Sequence, residues 1–450
     1  MSSAAVSDRQ LRLVIVASTL GTIIEWYDFY IFGSLATILS AHFFPKENPV
    51  AAFLETVAIF TIGFLIRPLG AFVFGRIGDL IGRKYTFLVT LTGMGLSTAL
   101  IGVVPSYAQI GIAAPIILFL LRIIQGLTLG GEYGGAITYV AEHAPDERRG
   151  YWTGWLQTSP SAGLLVSLAV VIGTRLGLGD EAFTAWGWRI PFLVSFILVA
   201  ISFYIRMKLH ETPIFQDLRR RGATTRNPWR ESFTGPNLKP VLIATVIILG
   251  QGVVWYSSQF WALFFLQTVK GLDVLTSSTI VGIALVLAVP FFVVFARLSD
   301  LVGRKPIMLL GMGLAAATYY PLYSALGRAA QPGQVDYVTS VAIVWALVMY
   351  VAMVYGPTAA FLAEFFPSRI RYTSVSVPYH IGNGWGGGLV PFVTSAIWAS
   401  TKNLGLTLLY PILVPAVACL LGLFIMPQTH RVSLWQEVSA GEATAGQATD

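Results

Sequence analysis

The sequence has very little charge for its length. Only 11% of its 450 residues are Asp, Glu, Lys or Arg, against roughly 25% in soluble proteins, and the mean hydropathy is +0.70. A soluble fold of this size could not cover its surface with so few charged side chains. The composition therefore predicts a polytopic membrane protein.

Several kinds of reactive group are also missing. Cys419 is the single cysteine, which excludes an internal disulfide and a metal cluster built on cysteine. The chain has no phosphate-binding P-loop, no zinc helix with paired histidines and no nucleophile elbow. We therefore expect a protein that is not an enzyme and that needs no cofactor or metal. The net charge of +7 is explained by basic loops at a membrane surface, and nucleic acid is not expected as a partner.

What the chain has instead is twelve apolar segments that are long enough to cross a bilayer. The predicted fold class is an all-α polytopic membrane protein, with twelve transmembrane helices in two six-helix halves, 1–208 and 239–427. A cytoplasmic linker at 209–238 joins the halves, and the tail at 428–450 is expected to be disordered. The predicted spans are 11–36, 53–75, 85–105, 109–138, 150–174, 187–208, 239–268, 275–297, 305–327, 336–363, 372–399 and 405–427.

Basic residues decide the orientation. Most of the 29 lysines and arginines fall in loops on one side of the predicted membrane, the side that also holds the chain ends. The positive-inside rule then places both termini in the cytoplasm. We expect a multi-pass monomer in the cell inner (plasma) membrane, with the lipid bilayer as its surroundings.

Two charged patterns occur twice. The stretch GRIGDLIGRK at 75–84 returns as ARLSDLVGRK at 296–305, and an Ala-Glu…Pro…Arg pattern occurs at 141–149 and again at 363–371. Recurrence in the same order indicates a duplicated architecture. Each basic loop joins the second span of its half to the third. It either sets topology or forms an ion-pair lock that breaks as the halves move. The predicted gating residues are Asp79, Arg83, Glu132, Glu142, Arg149, Asp300, Arg304, Glu364 and Arg371.

These loops resemble the signature of the major facilitator superfamily. The run EWYDFY at 25–30 in span 1, and the runs RIIQG at 122–126 and GGEYGG at 130–135 in span 4, resemble the metabolite:proton symporter family. That family includes importers of shikimate, 2-oxoglutarate, citrate, and proline or betaine. The resemblance covers the whole chain and implies proton-coupled uptake of a small, usually charged metabolite.

Four charges are predicted to lie inside the membrane. Glu25 and Asp28 are three residues apart and share a face of span 1. Arg67 and Arg122 enter from the other side, each roughly 20 Å down its helix. We predict one buried network, with Asp28 as the proton carrier ahead of Glu25. Arg122, ahead of Arg67, is the predicted ligand for a substrate carboxylate, because a guanidinium binds one bidentately. The alternative is that the four neutralise each other and fix helix packing.

Span 4 carries two further features. Gly126, Gly130 and Gly134, four residues apart, predict a face for close helix packing. Glu132 lies ten residues beyond Arg122, toward the cytoplasmic end, so it belongs either to the gate or to the buried network.

The second half has no acid in the interior of its predicted spans. Amides, hydroxyls and rings there can orient a ligand without adding net charge. Trp255 and Tyr256 could instead face lipid, and His380 is either a helix-contact residue or a proton relay. The predicted substrate-binding residues of this half are Gln251, Trp255, Tyr256, Gln259, Tyr355, His380 and Asn383.

The predicted function is therefore symport of a small organic acid with protons, by rocker-switch alternating access. The alternative substrate is a zwitterion such as proline or betaine, with Trp255 and Tyr256 around the quaternary ammonium. An exporter or a transporter-like sensor remains open, although the linker and tail offer no output domain.

Overall fold

The computed structural model describes residues 8–45, 47–81, 83–207, 220 and 227–434, and the side chains of 8–11, 13, 14, 17, 75–88, 205 and 206 lie outside that description. Helices occupy all twelve predicted spans, so the predicted fold class is confirmed. Judged by length and composition alone, seven helices of the described chain are long and apolar enough to cross a membrane. The bounds predicted for the halves and the linker stay predictions.

The first half contains spans 1 to 6. Span 2 is divided before Pro68 and span 5 before Pro160, because proline removes a helix hydrogen bond. Its helices are α1 (Asp8–Ser34), α2 (Ala36–Phe43), α3 (Pro49–Leu65), α4 (Arg67–Ile81), α5 (Arg83–Ile101), α6 (Tyr107–Ile110), α7 (Ala113–Gly130), α8 (Tyr133–His143), α9 (Arg149–Gln157), α10 (Ser159–Leu178), α11 (Asp180–Ala185) and α12 (Ile190–Met207).

The second half contains spans 7 to 12. Spans 7 and 11 include π-helical segments, at Ser257–Trp261 and Phe265–Val269 in span 7 and at His380–Gly387 in span 11. A two-stranded hairpin of β1 (Ala330–Gln331) and β2 (Gln334–Val335) joins spans 9 and 10. The helices are α13 (Pro228–Phe233), α14 (Leu238–Tyr256), α15 (Ala262–Phe264), α16 (Val274–Val302), α17 (Arg304–Ala329), α18 (Tyr337–Tyr355), α19 (Thr358–Phe365), α20 (Arg371–Tyr379), α21 (Val390–Thr401), α22 (Leu404–Thr407) and α23 (Leu409–Ile425).

Side-chain caps start the helices at one face of the molecule. Asn48, Asp273, Asp336 and Asn403 each accept the backbone N–H three residues later, at 3.0–3.1 Å. Such caps satisfy amides that the first helical turn leaves unpaired. All four lie on the side predicted to be outside the cell, which is called the outer face below; the opposite side is the inner face.

Spans 2 and 4 touch backbone to backbone. A Cβ on Gly126 would overlap the carbonyl oxygen of Gly63, and a Cβ on Gly130 would overlap that of Arg67. A Cβ on Gly134 would overlap the Ser376 hydroxyl of α20, in the other half. The predicted close-packed glycine face is confirmed, and it fixes the backbone from which Arg67 projects.

Replacing Gly130 by alanine is expected to destabilise the fold. The added methyl group cannot fit against the Arg67 carbonyl, and overpacking of this kind costs about 1–3 kcal/mol. We expect the melting temperature of the purified protein to fall by several degrees. Gly173→Ala is the matched control, because a Cβ there would meet nothing within 4 Å. Equal melting temperatures for the two variants would contradict the packing argument.

Several pairs of spans join the two halves. Span 5 packs against span 8, span 2 against span 11, and aromatic side chains of span 1 meet those of span 7. Between spans 2 and 11, the Trp385 indole donates to the Leu65 carbonyl at 3.0 Å, and the Thr61 hydroxyl donates to the Gly388 carbonyl at 3.3 Å. The Trp229 ring of α13 also stacks on Phe72 of span 2, with centroids 3.6 Å apart.

Candidate functional site

An aromatic stack joins the halves at the centre of the molecule. The Tyr30 ring lies between those of Trp26 and Trp255, with centroids 5.0 Å and 5.2 Å away and interplanar angles near 25°. The Tyr30 and Tyr256 hydroxyls are 3.4 Å apart. Trp255 and Tyr256 are at most 1% exposed, so the lipid-facing alternative for them is wrong. Sequence reasoning missed Trp26 and Tyr30 as site residues, although both belong to the EWYDFY run.

Arg67 is a buried cation beside this stack. Its side chain is fully buried, and none of its three guanidinium nitrogens meets the geometry of a hydrogen bond in the described part of the chain, although the Tyr256 hydroxyl faces it. The guanidinium carbon lies 5.0 Å from the ring centroid of Trp26 and 4.3 Å from those of Phe29 and Phe64. Ring faces offset part of the desolvation cost of a cation, but they leave the guanidinium N–H groups unsatisfied. Arg67 is therefore the group in this region that a bound anion would stabilise most.

The Arg122 guanidinium already has hydrogen-bond acceptors. It donates to the Phe29 carbonyl at 3.2 Å, to the Phe60 carbonyl at 3.1 Å and to Gln125 Oε1 at 2.5 Å. These contacts tie span 4 to spans 1 and 2. The preference for Arg122 over Arg67 as the carboxylate ligand is not supported by this geometry, since a carboxylate would have to displace existing acceptors.

Asp28 lies inside the first half. It is fully buried, and neither carboxylate oxygen meets the geometry of a hydrogen bond with a described residue, although the Ser195 hydroxyl of span 6 faces it. Thr98 of span 3 donates to the Asp28 backbone carbonyl at 3.3 Å, and the neighbouring Tyr27 hydroxyl donates to the Pro191 carbonyl of span 6 at 2.5 Å. The Asp28 side chain therefore lies toward span 6 of its own half.

The predicted network of two acids and two arginines does not form around Asp28. Among the described side chains, Asp28 has no hydrogen bond or ion pair with Arg67 or Arg122. That part of the prediction is wrong. Glu25, one turn away, is also buried, with 1% exposed. The proton-carrying roles of the two acids stay predictions.

The polar residues predicted in the second half are buried close to the halves' boundary. Asn383 donates to Gln251 at 3.2 Å, and the hydroxyls of Tyr355 and Tyr379 are 2.9 Å apart. Neither ring nitrogen of His380 meets the geometry of a hydrogen bond with a described residue, although the ring faces the backbone of Gly130; both amide atoms of Gln259 also lack a partner in the described chain. His380 and Gln259 therefore have donors and acceptors available for a ligand.

Tyr133 of span 4 joins this group from the first half. Its ring stacks on that of Tyr379, with centroids 3.6 Å apart, and its hydroxyl donates to Gln157 at 2.8 Å. The Gln157 amide in turn donates to the Tyr355 carbonyl at 2.8 Å. Sequence reasoning did not single out Tyr133 or Gln157, because neither carries charge or belongs to a repeated pattern.

An ion-pair cluster closes the inner face. Glu364 accepts from Arg149 of the first half at 2.9 Å and from Arg304 of the second half at 2.8 Å and 3.2 Å. Asp300 accepts from Arg304 at 2.7 Å, and from the backbone N–H groups of Gly150 and Tyr151 at 2.7 Å and 2.9 Å. It thus sits at the positive N-terminus of α9, in the opposite half.

The other predicted gating residues divide into three groups. Arg371 donates to Glu142 across the halves at 3.2 Å, a second ionic link on the same face. Glu132 is buried between α7 and α8, and its gating role stays a prediction. Asp79 and Arg83 belong to the first loop copy, whose side chains lie outside the described residues.

The start of the C-terminal tail packs onto the ion-pair cluster. Thr429 donates to Glu364 at 2.7 Å, and Arg149 donates to the Val432 carbonyl at 3.0 Å. Thr429 and Leu434 are buried, with 3% and 1% exposed. The expectation of disorder from residue 428 onward is therefore wrong for 428–434, and residues 435–450 lie outside the described part.

Replacing Thr429 by valine is expected to loosen the inner face. It removes a hydrogen bond to a charged acceptor, worth about 1.5–3 kcal/mol. We expect about a tenfold or larger shift toward conformations open at this face. Distances between spin labels on the inner ends of spans 4 and 10 would measure the shift. Ser433→Ala is the control on the same segment, and an unchanged distance distribution in Thr429→Val would count against a closing role for the tail.

Comparison with known proteins extends this picture. The sequence profile described as "Sugar (and other) transporter" matches residues 13–225 and 216–438. The chain is 34% identical over 436 residues to the inner membrane metabolite transport protein YhjE of Escherichia coli, covering 94% of this chain and 95% of the relative. It is 31% identical over 445 residues to the proline/betaine transporter of Salmonella typhimurium, covering 95% of this chain and 85% of the relative.

Another relative is the glycine betaine/proline/ectoine/pipecolic acid transporter OusA of Dickeya dadantii, 31% identical over 444 residues and covering 95% of this chain and 85% of the relative. Among solved structures, the proton:xylose symporter XylE superposes with a TM-score of 0.76 over 97% of this chain and 100% of that one. At 18% identity this likeness shows the fold alone. The chain therefore belongs to the sugar (and other) transporter family of the major facilitator superfamily, a family of multi-pass membrane transport proteins.

Proposed function

We propose that this protein carries a small zwitterion of the proline/betaine class across the membrane together with protons. The carboxylate of the substrate binds Arg67, and its cationic end packs against the rings of Trp26, Tyr30, Trp255 and Tyr256. The sequence alone favours an organic acid. The structure and the relatives give more support to the zwitterion, which was the alternative.

The observation that carries the proposal is the environment of Arg67. A fully buried guanidinium with no hydrogen-bond acceptor is costly, and a carboxylate relieves that cost with two parallel hydrogen bonds. The Trp26 ring faces Arg67, and the rings of Tyr30 and Trp255 stack next to it. Aromatic rings such as these present the negative faces that quaternary ammonium groups bind. One region thus offers a site for each end of a zwitterion.

The substrate class named for several relatives agrees with this chemistry. The Salmonella and Dickeya proteins, both 31% identical to this chain, are named for proline and betaine. A simple organic acid would use Arg67 and leave the aromatic faces without a cation. A sugar has neither a carboxylate for Arg67 nor a cation for the aromatic faces. The aromatic rings and Arg67 together therefore favour the zwitterion.

Alternating access follows from the contacts that join the halves. At the inner face, the cluster of Arg149, Asp300, Arg304 and Glu364 must break before the centre opens to the cytoplasm. On the outer side, spans 2 and 7 are joined by the ring pairs Phe53–Phe264 and Phe60–Phe260, which must separate before the centre opens outward. Each set can re-form while the other is open, which is the rocker-switch cycle. We place the protein in the inner membrane with both termini cytoplasmic, on the distribution of its basic residues.

The test is transport by purified protein in proteoliposomes. Glycine betaine, proline, citrate, 2-oxoglutarate and xylose are supplied one at a time, with and without an inward proton gradient. Accumulation of betaine or proline that depends on the gradient is the expected result. Accumulation of an organic acid alone would support the organic-acid prediction made from the sequence. Accumulation of xylose alone would refute the role of Arg67 as a substrate ligand. Gradient-independent equilibration would refute proton coupling.

A further inference from the structure

A cavity of about 270 Å³ opens at the outer face between the halves. Its walls come from the outer ends of spans 1, 2, 7 and 11, so both halves contribute. Most of the lining is apolar, including Phe53 and Trp398. The volume is below that of pockets for drug-sized ligands, and it suits a small metabolite.

Polar groups in this cavity have unmet hydrogen-bonding capacity. Ser395 is 5% exposed, and its hydroxyl has no partner in the described part of the chain; the hydroxyl of Thr37 on the opposite wall is in the same condition. Lys402 stands exposed at the rim, and its ammonium lies 5.8 Å from the centroid of the Trp398 ring. A lysine at the rim with buried hydroxyls below it matches a carboxylate bound next to an apolar surface.

Three aromatic pairs lead from this cavity to Arg67. Phe53, which lines the cavity, packs against Phe264 with ring centroids 5.5 Å apart. The next pairs inward are Phe60 with Phe260, at 5.2 Å, and Phe64 with Tyr256, at 4.9 Å. Each pair joins span 2 to span 7. Along span 2 the distance from Phe53 to Arg67 is roughly 20 Å, and the paired rings close that path.

We propose that this outer cavity is an entry site for the transported substrate, where Lys402 and Ser395 hold its carboxylate until the aromatic pairs separate. The inference rests on the proposed function, because it assumes a substrate that carries a carboxylate. Its place in the cycle is before the central site. A zwitterion held here is already oriented with its carboxylate at the rim and its cationic end toward the ring of Phe53.

The test measures the charge preference of the cavity directly. A thiol is introduced by Thr268→Cys in a Cys419→Ser background, since Thr268 lines the cavity and is exposed. Its alkylation by iodoacetate is compared with that by neutral iodoacetamide, in protein reconstituted into lipid vesicles. We expect Lys402→Gln to lower the iodoacetate-to-iodoacetamide rate ratio about fivefold. Lys402→Arg should retain the ratio, and Arg328→Gln, at the outer end of span 9 and outside the cavity lining, should leave it unchanged.

Protection experiments then identify the occupant. Millimolar betaine or proline is expected to slow alkylation, and to do so equally in an Arg67→Met background, where the central site has lost its anion ligand. Protection by citrate or 2-oxoglutarate alone would keep the entry site and refute the zwitterion class. Absence of protection by any of these, or a rate ratio independent of Lys402, would overturn the entry site. Resistance to both reagents would show that lipid fills the cavity and would overturn it as well.

Discussion

Replacing Arg67 by methionine is expected to abolish substrate binding at the central site and to stabilise the ligand-free protein at the same time. Methionine removes the only carboxylate ligand proposed for the central site, and losing one partner of a buried charge pair costs about 2–5 kcal/mol, or at least about 30-fold in affinity. It also removes a buried cation that has no acceptor in the described chain. Replacing buried charge by a hydrophobic side chain of similar volume stabilises by about 1–4 kcal/mol.

The matched comparison is Arg122→Met. Arg122 holds the carbonyl groups of Phe29 and Phe60, and each buried acceptor left without a donor costs about 1–3 kcal/mol. We therefore expect opposite changes in melting temperature for the two variants, measured by differential scanning fluorimetry without substrate. Isothermal titration with betaine and proline measures the loss of binding. A lower melting temperature for Arg67→Met, or retained affinity, would show that Arg67 is a structural residue.

Replacing Asp28 by asparagine is expected to uncouple transport from the proton gradient. Asp28 is fully buried and its carboxylate accepts no hydrogen bond from a described residue, so carrying a negative charge there is costly unless it binds a proton. Asparagine keeps the shape and cannot exchange a proton. Gradient-driven accumulation should fall at least about tenfold, whereas exchange of labelled for unlabelled substrate across the vesicle membrane should continue.

Two further substitutions make this result specific. Glu25→Gln tests the second predicted carrier, and whichever of the two variants loses accumulation while it keeps exchange identifies the coupling group. Asp180→Asn is the control, because Asp180 is exposed at the outer face, where it pairs with Arg175 at 2.6 Å. Full accumulation by Asp28→Asn would refute its role, and loss of exchange as well would show that the residue is needed for the conformational cycle itself.

The architecture could be predicted because hydropathy and duplicated patterns are properties of the sequence itself. Apolar segments of span length predict helices whatever their partners are, and the repeated patterns led to Glu364, Asp300, Arg304 and Arg149 before any geometry was known. Their contact could be predicted because ionic groups at matching loop positions come together at one face. The close packing at Gly130 was predictable for a similar reason, since small residues four apart mark a contact face.

The chemistry of the centre was less accessible, because sequence gives the depth of a side chain and not its direction. Asp28 and Phe29 are adjacent, yet on a helix they point about 100° apart. Only packing shows that Phe29 faces both arginines while Asp28 turns toward span 6. In the same way, depth could not separate the two arginines. Both lie over rings, but only Arg122 donates to backbone carbonyl groups among the described residues. The packing of Thr429 onto Glu364 depends on tertiary contacts that composition does not encode.

The π-helical segments of spans 7 and 11 have a consequence for how the centre can change. A π turn holds one more residue than an α turn, so its conversion to α-helix rotates the following residues by about 100° around the axis. Gln259 lies in one such segment, and His380 and Asn383 lie in another. Conversion between π-helix and α-helix would point these side chains in a new direction without moving either half of the protein. Substrate recognition in the second half can therefore be a rotary step, separate in time from the rocking that exposes the site.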